Sequence, residues 1–443
     1  MVLRKSCAIA LTAALFSPVM ASAAVDVGST VTALRLANTI TGGFMPSSDP
    51  LFTQMVAKIQ SGDLQGAASI AANSKYFANY MARRLALQMQ TPALESSIGT
   101  DNDSTAFIVA HLVGTGAQKP SISSLWSENA TYLVNVTTNG TTTAMHAADL
   151  KPAQLQALDW SASLKQVPGQ NVTGITVANG TTTTAAMMLP QKHVGGFLTL
   201  SDRINDNSFA MYGATAGTNL RMIEGIWEIS TGLSLVDLES TAAQAQDAPR
   251  FVPEYNPNFF HGQGQAACIS CHGGGMSSVN HGYSAVADTF DFDPKLGLTY
   301  NAAPTVATMK SLGSDPKTRA VTATCDLVKN PTAVCNPDSA GASPSQGWDL
   351  RVTWSSTGML SNMGWKGASN GEGLNALGAA MGQADIVYEF LTKRIVNEIC
   401  PMGAFTAKEI ASIAASANPF AVSPGTDDIR TIVAKVASHL SCQ

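Results

Sequence analysis

The sequence is poor in charge. Asp, Glu, Lys and Arg together make up 13% of 443 residues, about half the share of an ordinary soluble domain. A surface so thinly charged, with a formal net charge of -5, has neither the density nor the sign to hold phosphate backbones, which excludes nucleic acid as a partner. The chain also lacks a Ser-His-Asp order, a phosphate-binding glycine loop and a His-Glu-x-x-His motif, so common hydrolytic and nucleotide chemistries have no residues to run on. Past the N-terminus there is no uninterrupted run of eighteen apolar residues, and no transmembrane span is expected. What is present is apolar: 45% hydrophobic residues are enough for a sizeable core and argue against global disorder.

The N-terminus has the layout of an export signal. Arg4 and Lys5 precede an apolar stretch from Ala8 to Met20, and Ala21-Ser22-Ala23 offers a small-x-small cleavage site. Residues 1–23 are therefore read as a signal peptide, and the mature protein is expected in the periplasm, outside the cell or at its surface. Cys7 leaves with the signal. Six cysteines remain, of which Cys325, Cys335, Cys400 and Cys442 form an even set suited to two disulfides in an oxidising compartment. Cys325 with Cys335 and Cys400 with Cys442 are the favoured pairs, out of the three pairings that four cysteines allow.

The other two cysteines carry the chemistry. Cys268-Ile269-Ser270-Cys271-His272 has the spacing for covalent haem attachment: two thiols reach the two vinyl groups of one porphyrin, and the adjoining histidine binds its iron. The motif occurs once, so one covalent haem c is expected, with Cys268, Cys271 and His272 as its binding residues. For the sixth iron position the glycine-bounded stretch Gly358-Met359-Leu360-Ser361-Asn362-Met363-Gly364 offers Met359 and Met363. His281 and Met309 are further candidates, and an open five-coordinate iron is a remaining alternative. Asp288, Asp291 and Asp293 could hold calcium, but a solvated acidic turn is the simpler reading.

The flanking sequence predicts a mainly α chain, a multi-helical cytochrome c-like haem region with a small β-hairpin insertion. In residues 24–128, Asp49-Pro50 opens a short helix to Gln60, Asp63 can start another, and Phe77, Met81, Leu85 and Met89 recur every four residues as one buried stripe. Asp101 to Gly114 adds a further helix. In residues 129–190 two β-branched runs end at Asn139-Gly140 and Asn179-Gly180, which predicts two hairpins flanking a helical stretch from Asp149 to Ser163. Asn129, Asn135, Asn139, Asn171 and Asn179 match the N-glycosylation pattern, but threonine-rich strand sequence accounts for them. Residues 191–310 form the haem-binding region, with a helix expected over Leu220 to Thr231, and residues 311–370 a loop region pinned by cysteine.

Residues 371–443 read as a C-terminal helical module. Ala384 to Ile399 should bury Val387, Phe390, Leu391 and Ile395, with Glu389 and Lys393 paired four apart. Thr406 and Glu409 form a capping box. Asp427 and Asp428 should occupy the first turn of a last helix that buries Ile429, Ile432 or Val433, Val436 and Leu440.

The haem segment from Cys268 to Asp293, the element Gly196-Phe197-Leu198-Thr199 upstream and the helices of Leu377 to His439 together resemble the modules of large exported cytochrome-like proteins of planctomycetes and related bacteria. The resemblance implies haem and export, and no particular reaction. Transfer of single electrons between redox protein partners is the expected function, so a carrier rather than a catalyst is expected. Two alternatives stand beside it. One is a haem enzyme reducing peroxide or another small oxidant, with His261, His281 or Glu254 as acid-base group. The other is a haem-bearing surface or filament protein. His111, His146, His193 and His439 are read as surface or core residues.

Overall fold

A computed structural model describes residues 27–89, 102–114, 119–178, 181–200, 228–232, 290–293, 297–301, 347–349, 353–354, 358–359, 370–401, 403 and 405–442. These are mostly helical, with small sheets. The N-terminal helices are α1 (Val27–Thr41), α2 (Pro50–Gln60) and α3 (Leu64–Ala72), followed by α4 (Lys75–Phe77) and α5 (Arg83–Gln88), which a π-helical stretch (Ala78–Ala82) joins, and by α6 (Asn102–Val113). Their starts follow from local chemistry. Asp49 caps α2 by accepting from the Leu51 amide at 2.9 Å, with Pro50 at the first helical position. Asp63 caps α3 through the Gly66 amide at 2.8 Å. Phe77, Met81, Leu85 and Met89 are all buried, so the stripe expected from their spacing faces the core.

The β region begins with the hairpin of β1 (Ala130–Thr138) and β2 (Thr141–Met145), whose register pairs Thr138 with Thr141. Asn139 and Gly140 at its tip take φ of 51° and 78°, the two positive values that this kind of two-residue turn needs. The second expected hairpin is β4 (Asn171–Ala178) with β5 (Thr181–Met188); its turn residues lie outside the described residues. Two features depart from the sequence expectation. The stretch from Asp149 to Ser163 is not one helix but a 3-10 turn (Ala147–Asp149), α7 (Pro152–Ala157) and α8 (Trp160–Ser163), because Pro152 and the cap at Asp159 each restart it. The sheets also recruit strands from elsewhere. β3 (Leu164–Pro168) pairs antiparallel with β1, while β6 (Phe290–Asp293) and β7 (Gly297–Asn301) extend the second hairpin in the order β5-β4-β7-β6, with β7 parallel to β4. Asp291 and Asp293 are therefore in a strand, not in an acidic turn; Asp288 lies outside the described residues.

Short antiparallel pairs follow. β8 (Gly347–Asp349) pairs with β11 (Asn370–Glu372), and β9 (Thr353–Trp354) with β10 (Gly358–Met359). The first two residues of the expected glycine-bounded loop thus form a strand. The C-terminal helices are α9 (Gly373–Gln383), α10 (Asp385–Ile399), α11 (Ala407–Ala415) and α12 (Ile429–Ala437). Both halves of the capping box at Thr406 and Glu409 are made. These helices pack with the N-terminal ones around one continuous hydrophobic core, in which α12 lies against α3 and α1. Polar ties reinforce the contact: the Arg35 guanidinium donates to the Cys442 carbonyl at 2.6 Å, Gln88 donates to Glu398 at 2.6 Å, and Arg84 pairs with Glu398. A disulfide joins Cys400 to Cys442 across 42 positions of sequence.

Four details of the C-terminal expectation change. Phe390 is only half-buried, and Tyr388 is buried in its place; the tyrosine can enter the core because its hydroxyl donates to the Gly382 carbonyl and faces Asp427. Asp427 is not in the first helical turn. It takes φ of 56° and accepts from the Ser123 amide and from the hydroxyls of Ser121 and Ser123, leaving Asp428 to cap α12. Leu440 is 84% exposed, because the chain leaves α12 at Ala437 and turns through Leu440–Cys442 to bring Cys442 to Cys400. Glu389 and Lys393 form no ion pair among the described residues.

Candidate functional site

The attachment motif Cys268, Cys271 and His272 lies outside the described residues, as do His261, His281, Met309, Met363, Glu254, Cys325 and Cys335. Of the iron-ligand candidates, Met359 is described, at the backbone level, in β10 opposite Thr353. The structure does define both ends of the segment that carries the motif. Upstream, a helical turn at 228–231 is fixed in the core: Ile229, Ser230 and Thr231 are buried, and the buried Trp126 ring nitrogen donates to the Ser230 hydroxyl at 2.7 Å. Downstream, the chain enters β6 and the sheet at Phe290. The motif therefore belongs to a segment whose two ends are both held by the folded body.

The upstream end meets a group of three residues. Gly232 follows the helical turn with φ of +69°, and a Cβ there would stand 2.3 Å from Phe390 Cε2; only glycine permits both the backbone turn and this approach. Phe390, on α10, carries the Arg394 guanidinium over its ring face at 4.4 Å from the centroid, a cation-π contact one helical turn along. Arg394 is half-buried, its enclosed Nη1 has no hydrogen-bond partner, and it forms no ion pair among the described residues. Burial pushes the group down to about 10, so it is still a cation at neutral pH. Arg394 follows the buried side of α10 by one position, between Leu391 and Ile395. Nothing in the local sequence marks it, since a lone arginine beside an apolar stripe normally extends to solvent.

A second polar cluster, also missed, lies in the core. The ring of His111 stacks on Phe107 at 4.2 Å, its Nδ1 donates to the Phe107 carbonyl at 2.8 Å, and its Nε2 makes an ion-pair contact with Glu128. Glu128 also accepts from the Tyr132 hydroxyl at 3.0 Å and from the Gln166 amide at 2.7 Å. Burial would raise the Glu128 carboxyl, yet the hydrogen bond and charge of His111, with the Tyr132 and Gln166 donors, hold it below its usual range. Tyr132 is pushed up by burial and by Glu128. Tyr132 and Gln166 satisfy the carboxylate, while His111 Nε2 meets it as a close charge contact without hydrogen-bond geometry; the cluster ties α6 to β1 and β3.

The other histidines fall as surface or core residues. His193 is buried, and burial, with the nearby Lys192 charge, pushes it down to about 4. His146 is at the surface, raised by its hydrogen bond to Asp103. His439 lies beside Phe405 and within 3.6 Å of Glu409. No group of three metal-ligating side chains occurs among the described residues, and no helix among them is long and apolar enough to cross a membrane.

Comparisons with protein-family models, with curated proteins and with solved structures return no match.

Proposed function

We propose that the chain is an exported c-type cytochrome that holds one covalent haem on Cys268 and Cys271, with His272 on the iron, and passes single electrons between redox partners. The observation that carries this reading is the sequence Cys268-Ile269-Ser270-Cys271-His272, whose spacing suits two thioether links and one axial ligand on a single porphyrin. The export pattern of residues 1–23 agrees with it, since disulfides persist in oxidising compartments and the structure joins Cys400 to Cys442. Haem would supply the one-electron couple. Cys268 and Cys271 would hold it, His272 would bind its iron, and burial together with a further ligand would set its potential. Met359, Met363, His281 and Met309 are the candidates for that ligand.

Absorption spectra of the mature protein, oxidised and then dithionite-reduced with carbon monoxide added, test the reading. A low-spin spectrum unchanged by carbon monoxide is the expected result and indicates an electron carrier with both axial positions filled by protein. Rapid carbon monoxide binding would indicate an open iron and favour a haem enzyme acting on a small oxidant. Absence of haem absorbance, from a host competent to attach it, would overturn the reading.

A further inference from the structure

The hairpin of β1 and β2 carries Asn139-Gly140 at its tip, outside the strand ladder, which closes on the pair Thr138 and Thr141. Both tip residues are exposed, and so are Thr137, Thr138, Thr141, Thr142 and Thr143 behind them. Going back along β1, the first buried side chain is Val134. A hairpin end that buries so little opens at small cost, since few apolar contacts are lost with it. Gly140 adds a chemical feature. A Cβ built on it would meet no atom within 4 Å, so neither a side chain of its own nor a packed neighbour crowds it. The other asparagines of these strands differ on both counts. Asn129, Asn135 and Asn171 precede Ala130, Val136 and Val172, which carry a Cβ and are paired in strands.

We propose that Asn139 is a self-modification site, at which the folded protein converts its own asparagine to aspartate and isoaspartate. The side-chain carbonyl carbon of Asn139 and the backbone nitrogen of Gly140 are spaced to close a five-membered ring once the tip opens. The Gly140 nitrogen bonds to that carbon, the bond from the carbon to the side-chain nitrogen breaks, and this nitrogen leaves as ammonia with the proton from Gly140. Water then opens the cyclic imide at either of its two carbon–nitrogen bonds. Water is the sole co-reactant, and nothing is oxidised or reduced. The two products act differently on the fold. Aspartate keeps the turn, since Asp-Gly suits two positive φ values as Asn-Gly does, and it adds a negative charge at the tip. Isoaspartate routes the main chain through the side-chain carbon and lengthens it by one atom, so a two-residue turn no longer closes on Thr138 and Thr141.

The test ages the full mature protein in its folded state in mildly alkaline buffer, with the same protein in guanidinium beside it. Mass spectra of its peptides locate each replacement of an amide nitrogen by oxygen, and enzymatic methylation of isoaspartyl carboxylates counts the isoaspartate. The expected result is a mass change at Asn139 in the folded protein, with isoaspartate in excess, and none at Asn129, Asn135 or Asn171. Backbone amides of residues 137–142 should exchange faster in the aged protein. Asn139→Gln needs a six-membered ring, which closes slowly, and should lose both signals at this site while keeping the fold. A change at Asn139 in guanidinium but not in the folded protein would mean that the turn protects the residue, and would overturn the proposal. A change at Asn129 or Asn135 as fast as at Asn139 would overturn it too, because exposure and the glycine would then decide nothing. Unaltered amide exchange in protein that carries isoaspartate would overturn the predicted loss of the turn.

Discussion

Two corners of one helical body enclose a basic side chain, one fully and one in part, and they resolve it differently. At the α6 corner His111 is enclosed by Phe107, Glu128 and Tyr132, and the carboxylate it faces is itself held by a tyrosine and a glutamine. At the α10 corner Arg394 has a phenylalanine ring and a buried nitrogen with no acceptor. A third buried basic group, His193, avoids the conflict by staying neutral, its proton affinity pushed down to about 4 by burial. The His111 cluster carries its own counter-charge in Glu128 and accounts for itself as structure. Arg394, half-exposed, keeps part of its hydration and has only an aromatic face beside it.

Removing a partner at each corner should separate the two cases. Glu128→Ala leaves His111, Tyr132 and Gln166 buried around a missing acceptor, and a loss of about 3–5 kcal/mol in urea unfolding is expected. A loss below about 1 kcal/mol would mean that the carboxylate does not hold the cluster, and the contrast with Arg394 would fail. The disulfide supplies the next largest effect and a control. Cys400→Ser/Cys442→Ser frees the C-terminal end of α10, with an expected loss of about 2–4 kcal/mol. That loss should be the same with and without haem. A loss that differs between the two states would mean that haem also bears on the C-terminal end of α10.

The His193 arm has a sign that can be worked out in advance. The folded-state value is about 4 and the unfolded one about 6.5, so the unfolded chain takes up a proton first as the pH falls. Stability contributed by the neutral ring is present above about pH 6.5 and is lost between about pH 6.5 and 4, to a total of about 3 kcal/mol. Urea melts across that window should show the decline, and His193→Gln should flatten it. An unchanged slope in the variant would place the proton uptake elsewhere.

Where the fold was legible in the sequence, the signal was local. Asp49-Pro50, Thr406-x-x-Glu409 and Asn139-Gly140 each specify a cap or turn within four residues, and the structure makes all three. The stripe from Phe77 to Met89 needed only helical periodicity. What was not legible depends on distant partners. β3 joins β1, and β7 runs parallel to β4 from over a hundred residues away; neither pairing has a nearby signal. Asp427 looks like a helix-cap residue until Ser121 and Ser123 supply donors that hold it outside the helix. Arg394 looks like a fully solvated arginine until the Phe390 ring lies against its guanidinium. The attachment motif is the reverse case: its chemistry is written in five consecutive residues, while its placement lies outside the described residues.

The most direct test of the central claim asks whether haem stays with the unfolded chain. The mature protein, made in a host able to attach c-type haem, would be denatured in acidic guanidinium and passed through a sizing column with haem and protein absorbance recorded together. The account predicts that haem absorbance elutes with the polypeptide, and that it is lost from the chain in Cys268→Ala/Cys271→Ala. Haem that elutes apart from the wild-type chain, or a chain that carries none, would contradict it.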